Sequence, residues 1–169
     1  MRVFLCLTRE TTDGGHHTLY SAIGGGAHLA LLPHSQPDLA ELATKVTQRS
    51  STVIAVSEGY CRQEREKNKF TGSASEWLLA QLRQTGRLDE RVRRVVCEPF
   101  SRDIRGASVN NSDLVLSQKF ALLVAELAAQ GKSHLMPTVA GGATGSIPFS
   151  KVVTDNTVSL EDEKLANRL

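Results

Sequence analysis

The chain has 169 residues, 40% of them hydrophobic and 22% charged, the composition of one ordinary globular domain that buries roughly 70% of its unfolded surface. Lysine and arginine exceed aspartate and glutamate by only two, so no broad field favours nucleic acid or an anionic membrane, and no apolar run approaches the ~20 residues of a membrane helix. Cys6, Cys61 and Cys97 are odd in number, widely spaced and without a CxxC pair, which argues against a disulfide framework or a zinc site and fits a reducing compartment with free thiols in or near the core.

"RVFLCLT" is a short apolar run of strand formers, and the polar loop "RETTDGG" follows it. The opening residues lack the apolar core of a secretory signal, and Glu10 is out of place in a mitochondrial presequence. "HHTLYSAIGGG" holds a short helix whose three glycines suit a left-handed C-cap, and the strand "HLALL" comes next. Because they follow a helix and have no lysine after them, these glycines lack the setting of a phosphate loop. "SQPDLAELATKVTQR" places proline near a helix start, an acid in the first turn, and Leu39, Leu42, Ala43 and Val46 on one face. "TVIAV" is almost continuously apolar, as in a parallel strand buried on both faces.

Residues 60–72, "YCRQEREKNKFTG", are dense in charge with no apolar period and read as a solvated loop or lid. Ser73 and Glu76 have capping-box spacing before a helix with Trp77, Leu78 and Leu82 on its stripe, then "RRVVCE" makes another strand. Leu116, Phe120, Leu123, Val124, Leu127 and Ala128 recur at helical spacing up to Gly131. "HLMPTVAGGATGSIPFSKVV" reads as short edge strands joined by a glycine-rich hairpin, and Ser159 with Asp162 opens a last short helix. Alternation of strand and helix implies one α/β domain over 1–169, three-layered with a mostly parallel sheet, helices on its faces, and a hairpin and short helix in 141–169.

Ligands of open α/β sheets sit beyond the carboxyl ends of the strands, so the loops after "RVFLCLT", "TVIAV" and "RRVVCE" should share a rim. They carry Thr12, Asp13, Glu58, Arg102 and Arg105. Two guanidiniums opposite a carboxylate suit a polyhydroxy phosphate, the arginines gripping phosphate and the glutamate accepting from hydroxyls. The plainer alternative is that the arginines pair with Glu98 or Asp103 on a solvated loop. Adjacent His16 and His17 point about 100° apart on a helix and nominate no metal site. Neither a nucleophile elbow nor an acid-base carboxylate pair stands out.

Over residues 2–140 the order of these signals resembles the sugar-phosphate-binding half of a 6-phosphofructokinase, in the trypanosome-type and plant-type branch close to pyrophosphate-dependent enzymes. "STVIAVSEGY" is similar to the family strand ending in Ala-Glu-Gly, which makes Glu58 the implied fructose 6-phosphate contact. "DIRGASVNNSDLVLSQKFALLVAELAAQGK" is similar to the family's arginine, small-residue turn, aspartate and long helix, which puts Arg105 on the phosphate-gripping position and Asp113 on the aspartate. Arg102 stands where relatives have histidine or tyrosine, and Glu10-Thr11-Thr12 replaces a Met-Gly-Arg motif, so Thr12 takes the place of a phosphate anchor. The family's nucleotide-binding and catalytic segments have no counterpart in this sequence.

The resemblance therefore implies a fragment or pseudo-enzyme with no catalytic residue, a structural or regulatory partner within a protein assembly or homo-oligomer. Its alternatives are the sugar-phosphate half of a split 6-phosphofructokinase and a sugar-phosphate sensor. No cofactor is expected on this chain; ATP and magnesium would belong to a catalytic half on another polypeptide. Nucleic acid and membrane are not expected partners. The compartment is cytoplasmic, or peroxisomal and glycosomal if Asn167-Arg168-Leu169, similar to a Ser-Lys-Leu address, is read as one.

Overall fold

The computed structural model describes residues 2–8, 14–88, 94–99, 107–152 and 157–166, and these belong to two compact units, 1–105 with 156–169 and 106–155. The first unit is built on four parallel strands: β1 (Arg2–Thr8), β2 (Leu29–Leu31), β3 (Ser51–Ser57) and β4 (Arg94–Pro99). Their order is β2-β3-β1-β4, with Leu29 opposite Ile54, Arg2 opposite Ser51 and Arg2 opposite Arg94. Mixed α/β architecture with a small parallel sheet flanked by helices is thus what the strand-helix alternation implied.

Between the strands lie α1 (His16–Gly24), α2 (Leu39–Gln48), α3 (Arg62–Lys67) and α4 (Ala74–Gln84). The β1-to-β2 crossover runs one way along the sheet, past β3, whereas β2-to-β3 and β3-to-β4 run the other way. Right-handed crossovers in opposite directions deliver their helices to opposite faces. Side-chain alternation agrees. Ile54 and Val56 on one face pack with Leu42, Ala43 and Val46 of α2 and with Trp77, Leu78 and Leu82 of α4. Ala55 and Ala30 on the other pack with Leu19 and Ala22 of α1 and with Val158, so the central strand β3 is buried on both faces.

Local chemistry sets the helix ends. Asp38 caps α2, its Oδ1 accepting from the N–H groups of Ala40 and Glu41 at 2.8 and 3.0 Å, and these bonds hold its carboxyl below the ordinary range. After α1 the Gly25 N–H reaches the Ser21 carbonyl at 2.8 Å, and Gly26 takes φ 66°, the left-handed stop expected of the glycine run.

At α4 the capping box is complete: Ser73 Oγ accepts from the Glu76 N–H at 3.2 Å and Glu76 Oε2 accepts from the Ser73 N–H at 2.7 Å. The Ser73 backbone and, next, its hydroxyl hold the Glu76 carboxyl below its usual range. A depressed carboxylate adds stability above its unfolded pKa of about 4.3, lost as pH falls through the folded value. Ser73→Ala is accordingly expected to cost about 1 kcal/mol in urea unfolding at pH 7. The gap from the wild type should narrow below about pH 4 as Glu76 protonates; a gap constant from pH 7 to pH 3 would contradict the assignment.

Residues 60–72 differ from the expectation of a solvated loop. Arg62–Lys67 is a helix, stabilised by an Arg62 Nε to Glu66 Oε1 pair at 2.8 Å and by burial of the Arg65 stem, and Phe70 then meets Trp77 edge-on at 5.1 Å. Cys61, half-buried, enters this helix at φ 49°, a left-handed conformation that turns the chain back after β3. Burial pushes the thiols of Cys61 and Cys97 up from their ordinary value, and both are free.

The last helix, here α6 (Leu160–Ala166), completes the first unit, preceded by Ser159, whose Oγ accepts from the Asp162 N–H at 3.1 Å. Val158 donates its N–H to the Gly14 carbonyl at 3.0 Å and is buried beside α1.

The second unit is α5 (Asn111–Ala129) with the antiparallel strands β5 (Leu135–Ala140) and β6 (Ala143–Pro148). Gly141 and Gly142, at φ 57° and 82°, make the two-residue turn that needs positive φ at both positions. Asn110 caps the helix by accepting from the Asp113 N–H at 2.9 Å. The hairpin packs on α5, where Leu116, Phe120, Leu123 and Leu127 are half-buried; Val124 and Ala128 of the apolar pattern are exposed because the hairpin covers only one side of the helix.

Candidate functional site

Parallel strands aim their carboxyl ends at one edge, where Leu32–Asp38 follow β2 and Glu58–Cys61 follow β3. Thr8 pairs with Ser57, so β1 and β3, which are adjacent, end level with each other at that edge. α1, the next helix after β1, packs on one face of the sheet, and α4, which comes after β3, packs on the other. The gap between these two strand ends is the topological switch point, the place where open α/β sheets form a crevice.

Glu58 is held there by its neighbour in space, Arg65. The Arg65 guanidinium lies 3.5 Å from Glu58 Oε1, and it also donates to the Glu58 carbonyl and, from Nε at 3.1 Å, to the Tyr60 carbonyl. Arg65 is buried, whereas Glu58 keeps 27% of its side chain exposed, so the carboxylate is fixed at one side and open at the other. Tyr60 is buried below this turn, and burial first, then Cys61, drives its phenol far above the ordinary value, keeping it neutral. The Ser57 hydroxyl accepts from the Gly59 N–H at 3.3 Å and the Ser57 carbonyl from the Tyr60 N–H at 3.0 Å, which closes the turn.

Beside it, between the ends of β2 and β3, lies a cavity of about 520 Å³ lined by Pro33, His34, Ser35, Gln36, Gly59, Cys61, Arg62, Gln63, Glu64 and Glu66. Its walls carry both signs of charge and several neutral polar groups, a lining suited to a hydroxyl-rich solute more than to an apolar one. One wall is fixed from far away in sequence. Glu163 accepts from the Ser35 hydroxyl with one oxygen and lies 3.2 Å from His34 Nε2 with the other, while Ser35 Oγ accepts from the Leu32 N–H at 2.9 Å. Sequence reading missed this wall, because His34, Ser35 and Glu163 show no common spacing.

Of the residues singled out from the sequence, Glu58 is at the rim as expected and its carboxylate meets Arg65. Thr12, Asp13, Arg102, Arg105 and the Asn167-Arg168-Leu169 terminus lie outside the described residues. Asp113 sits in the first turn of α5, hydrogen-bonded to the Asn110 amide at 2.7 Å. Among the described residues no cluster of three histidine, cysteine or acidic side chains gathers for a metal, and no helix is long and apolar enough to cross a membrane.

Fold and rim together define an α/β protein with a small parallel sheet and a polar, mixed-charge edge at its carboxyl end. No protein-family model and no curated protein sequence matches the chain.

Proposed function

We propose that this chain is a phosphofructokinase-like, sugar-phosphate-binding half with no phosphoryl-transfer activity of its own, acting as a structural or regulatory partner in a larger assembly. The observation that supports it best is the place of Glu58 at the switch point, directly after the strand that neighbours β1. A carboxylate pinned by Arg65 yet part-exposed is preorganised to accept hydrogen bonds from sugar hydroxyls at little ordering cost. Arg105, with Arg102, then supplies the guanidinium that grips the phosphate, as the resemblance implies, and Thr12 contributes a neutral contact where relatives have a cation. Helices on both sheet faces extend the same reading to a three-layer domain.

Phosphoryl transfer needs a donor site, charge neutralisation and a base at the attacking hydroxyl, and the resemblance assigns all of these to segments without a counterpart in this sequence. ATP and magnesium would belong with those segments. Titration calorimetry of the whole chain with fructose 6-phosphate is expected to show saturable binding, weakened about tenfold by Glu58→Gln, the worth of one hydrogen bond to a charged group. Arg105→Ala should weaken it at least as much. Absence of heat with the wild type, or an unchanged titration in Arg105→Ala, sinks the site; ATP-dependent phosphorylation by the purified chain sinks the non-catalytic reading.

A further inference from the structure

The side of α5 turned away from the hairpin is also mostly apolar. At 100° per residue, Leu116, Phe120, Leu123 and Leu127 fall in one sector of about 60°, the half-buried one. A second arc of about 140° on the other side holds Leu114, Val115, Leu122 and the alanines at 121, 125, 128 and 129, with Asn111 and Gln118 among them. Leu114 is 51% exposed, Val115 49% and Leu122 67%. A helix apolar on two opposite sides needs a second neighbour, and among the described residues of the second unit the hairpin lies against one side alone.

The charges at the margin of this face say which neighbour fits. Val115, Gln118, Leu122, Ala125 and Ala129 recur at alternating spacings of three and four, the seam of a two-helix packing. Lys119 and Glu126, seven residues apart, occupy the same edge of that seam; the other edge carries Leu114, Ala121 and Ala128. In a parallel pair each edge meets the opposite edge of its partner, so both charges would face apolar side chains. In an antiparallel pair like edges meet, and Lys119 of each helix comes level with Glu126 of the other. The same register sets each Leu122 against the small Ala125 of the partner, so large fits into small and the backbones approach closely. A surface complementary in shape and charge to itself under a twofold axis is an isologous interface.

We infer that the Val115–Ala129 face of α5 pairs antiparallel with the same face of a second copy of this chain, closed by two reciprocal Lys119–Glu126 ion pairs. The inference stands on the second unit alone and does not depend on the sugar-phosphate reading.

Sedimentation velocity of the full chain over a hundredfold concentration range is expected to show a monomer-dimer equilibrium. Leu122→Glu should give a monomer throughout, with far-ultraviolet circular dichroism and thermal midpoint of the monomer unchanged. Lys119→Glu should weaken dimerisation about tenfold, and Lys119→Glu with Glu126→Lys together should restore it, because the swap rebuilds both pairs. A wild-type monomer at every concentration overturns the inference. So does a dimer indifferent to Leu122→Glu, or a charge swap that fails to restore what the single change removed. A monomer whose stability falls with Leu122→Glu assigns the face to packing within the chain and overturns it equally.

Discussion

Replacing Leu78 by alanine is expected to lower the unfolding free energy by about 3 kcal/mol, the usual loss for a leucine fully enclosed in a core. Leu78 has no accessible surface and stands on the face of α4 that packs with Ile54 and Val56 of β3 and with Leu42 and Val46 of α2. Its loss takes methyl groups out of the cluster that α4 shares with β3 and α2. The surrounding side chains cannot follow, because α4 is fixed at its start by the Ser73–Glu76 box and along its length by Trp77 and Leu82. Urea unfolding followed by the fluorescence of Trp77, the single tryptophan of the chain and a member of the same cluster, measures the effect directly. A loss below about 1 kcal/mol would mean that the α4 face is not closed against the sheet.

Local signals in the sequence carried the elements well. Ser73 with Glu76 forms both hydrogen bonds that its spacing implied, and the Ser159 hydroxyl accepts from the Asp162 N–H, since a cap depends on residues three apart. "TVIAV" betrayed burial on both faces for a similar reason, as no polar residue interrupts it. The strand order could not be read in this way: pairing Thr8 with Ser57 joins residues almost fifty apart, and any apolar strand could have taken the place beside β1.

Helix α3 was invisible because its one buried residue, Arg65, is of the type most often solvated, and periodicity scores it as polar. The site shows the same division. Glu58 was legible from its place after a buried strand, but its partner Arg65 reaches it only because Cys61 turns the chain through a left-handed conformation, which a cysteine in a sequence does not announce. Glu163 meets Ser35 across 128 positions, a contact that exists only once α6 has packed on the β2 side of the sheet.

Arg65→Ala is expected to cost about 2–3 kcal/mol and to release Glu58 at the same time. Removing one partner of a fully buried pair costs about 3–5 kcal/mol, and the part-exposure of Glu58 reduces that figure, since water can take over its carboxylate. What water cannot easily replace are the donations from a buried guanidinium to the carbonyls of Glu58 and Tyr60, which tie the start of the turn to α3. Arg65→Lys should recover less than half of the loss, because an ammonium at the end of a flexible stem cannot serve three acceptors in a fixed fork.

The stability and binding readouts should therefore move together. In Arg65→Ala the Glu58 carboxylate remains present but is no longer held, so any affinity for fructose 6-phosphate that survives should fall severalfold at a temperature where the variant is still folded. Unfolding at an unchanged urea concentration would remove the guanidinium as the anchor of this turn. Full stability loss with undiminished affinity would separate the two roles and show that Glu58 finds its position without Arg65.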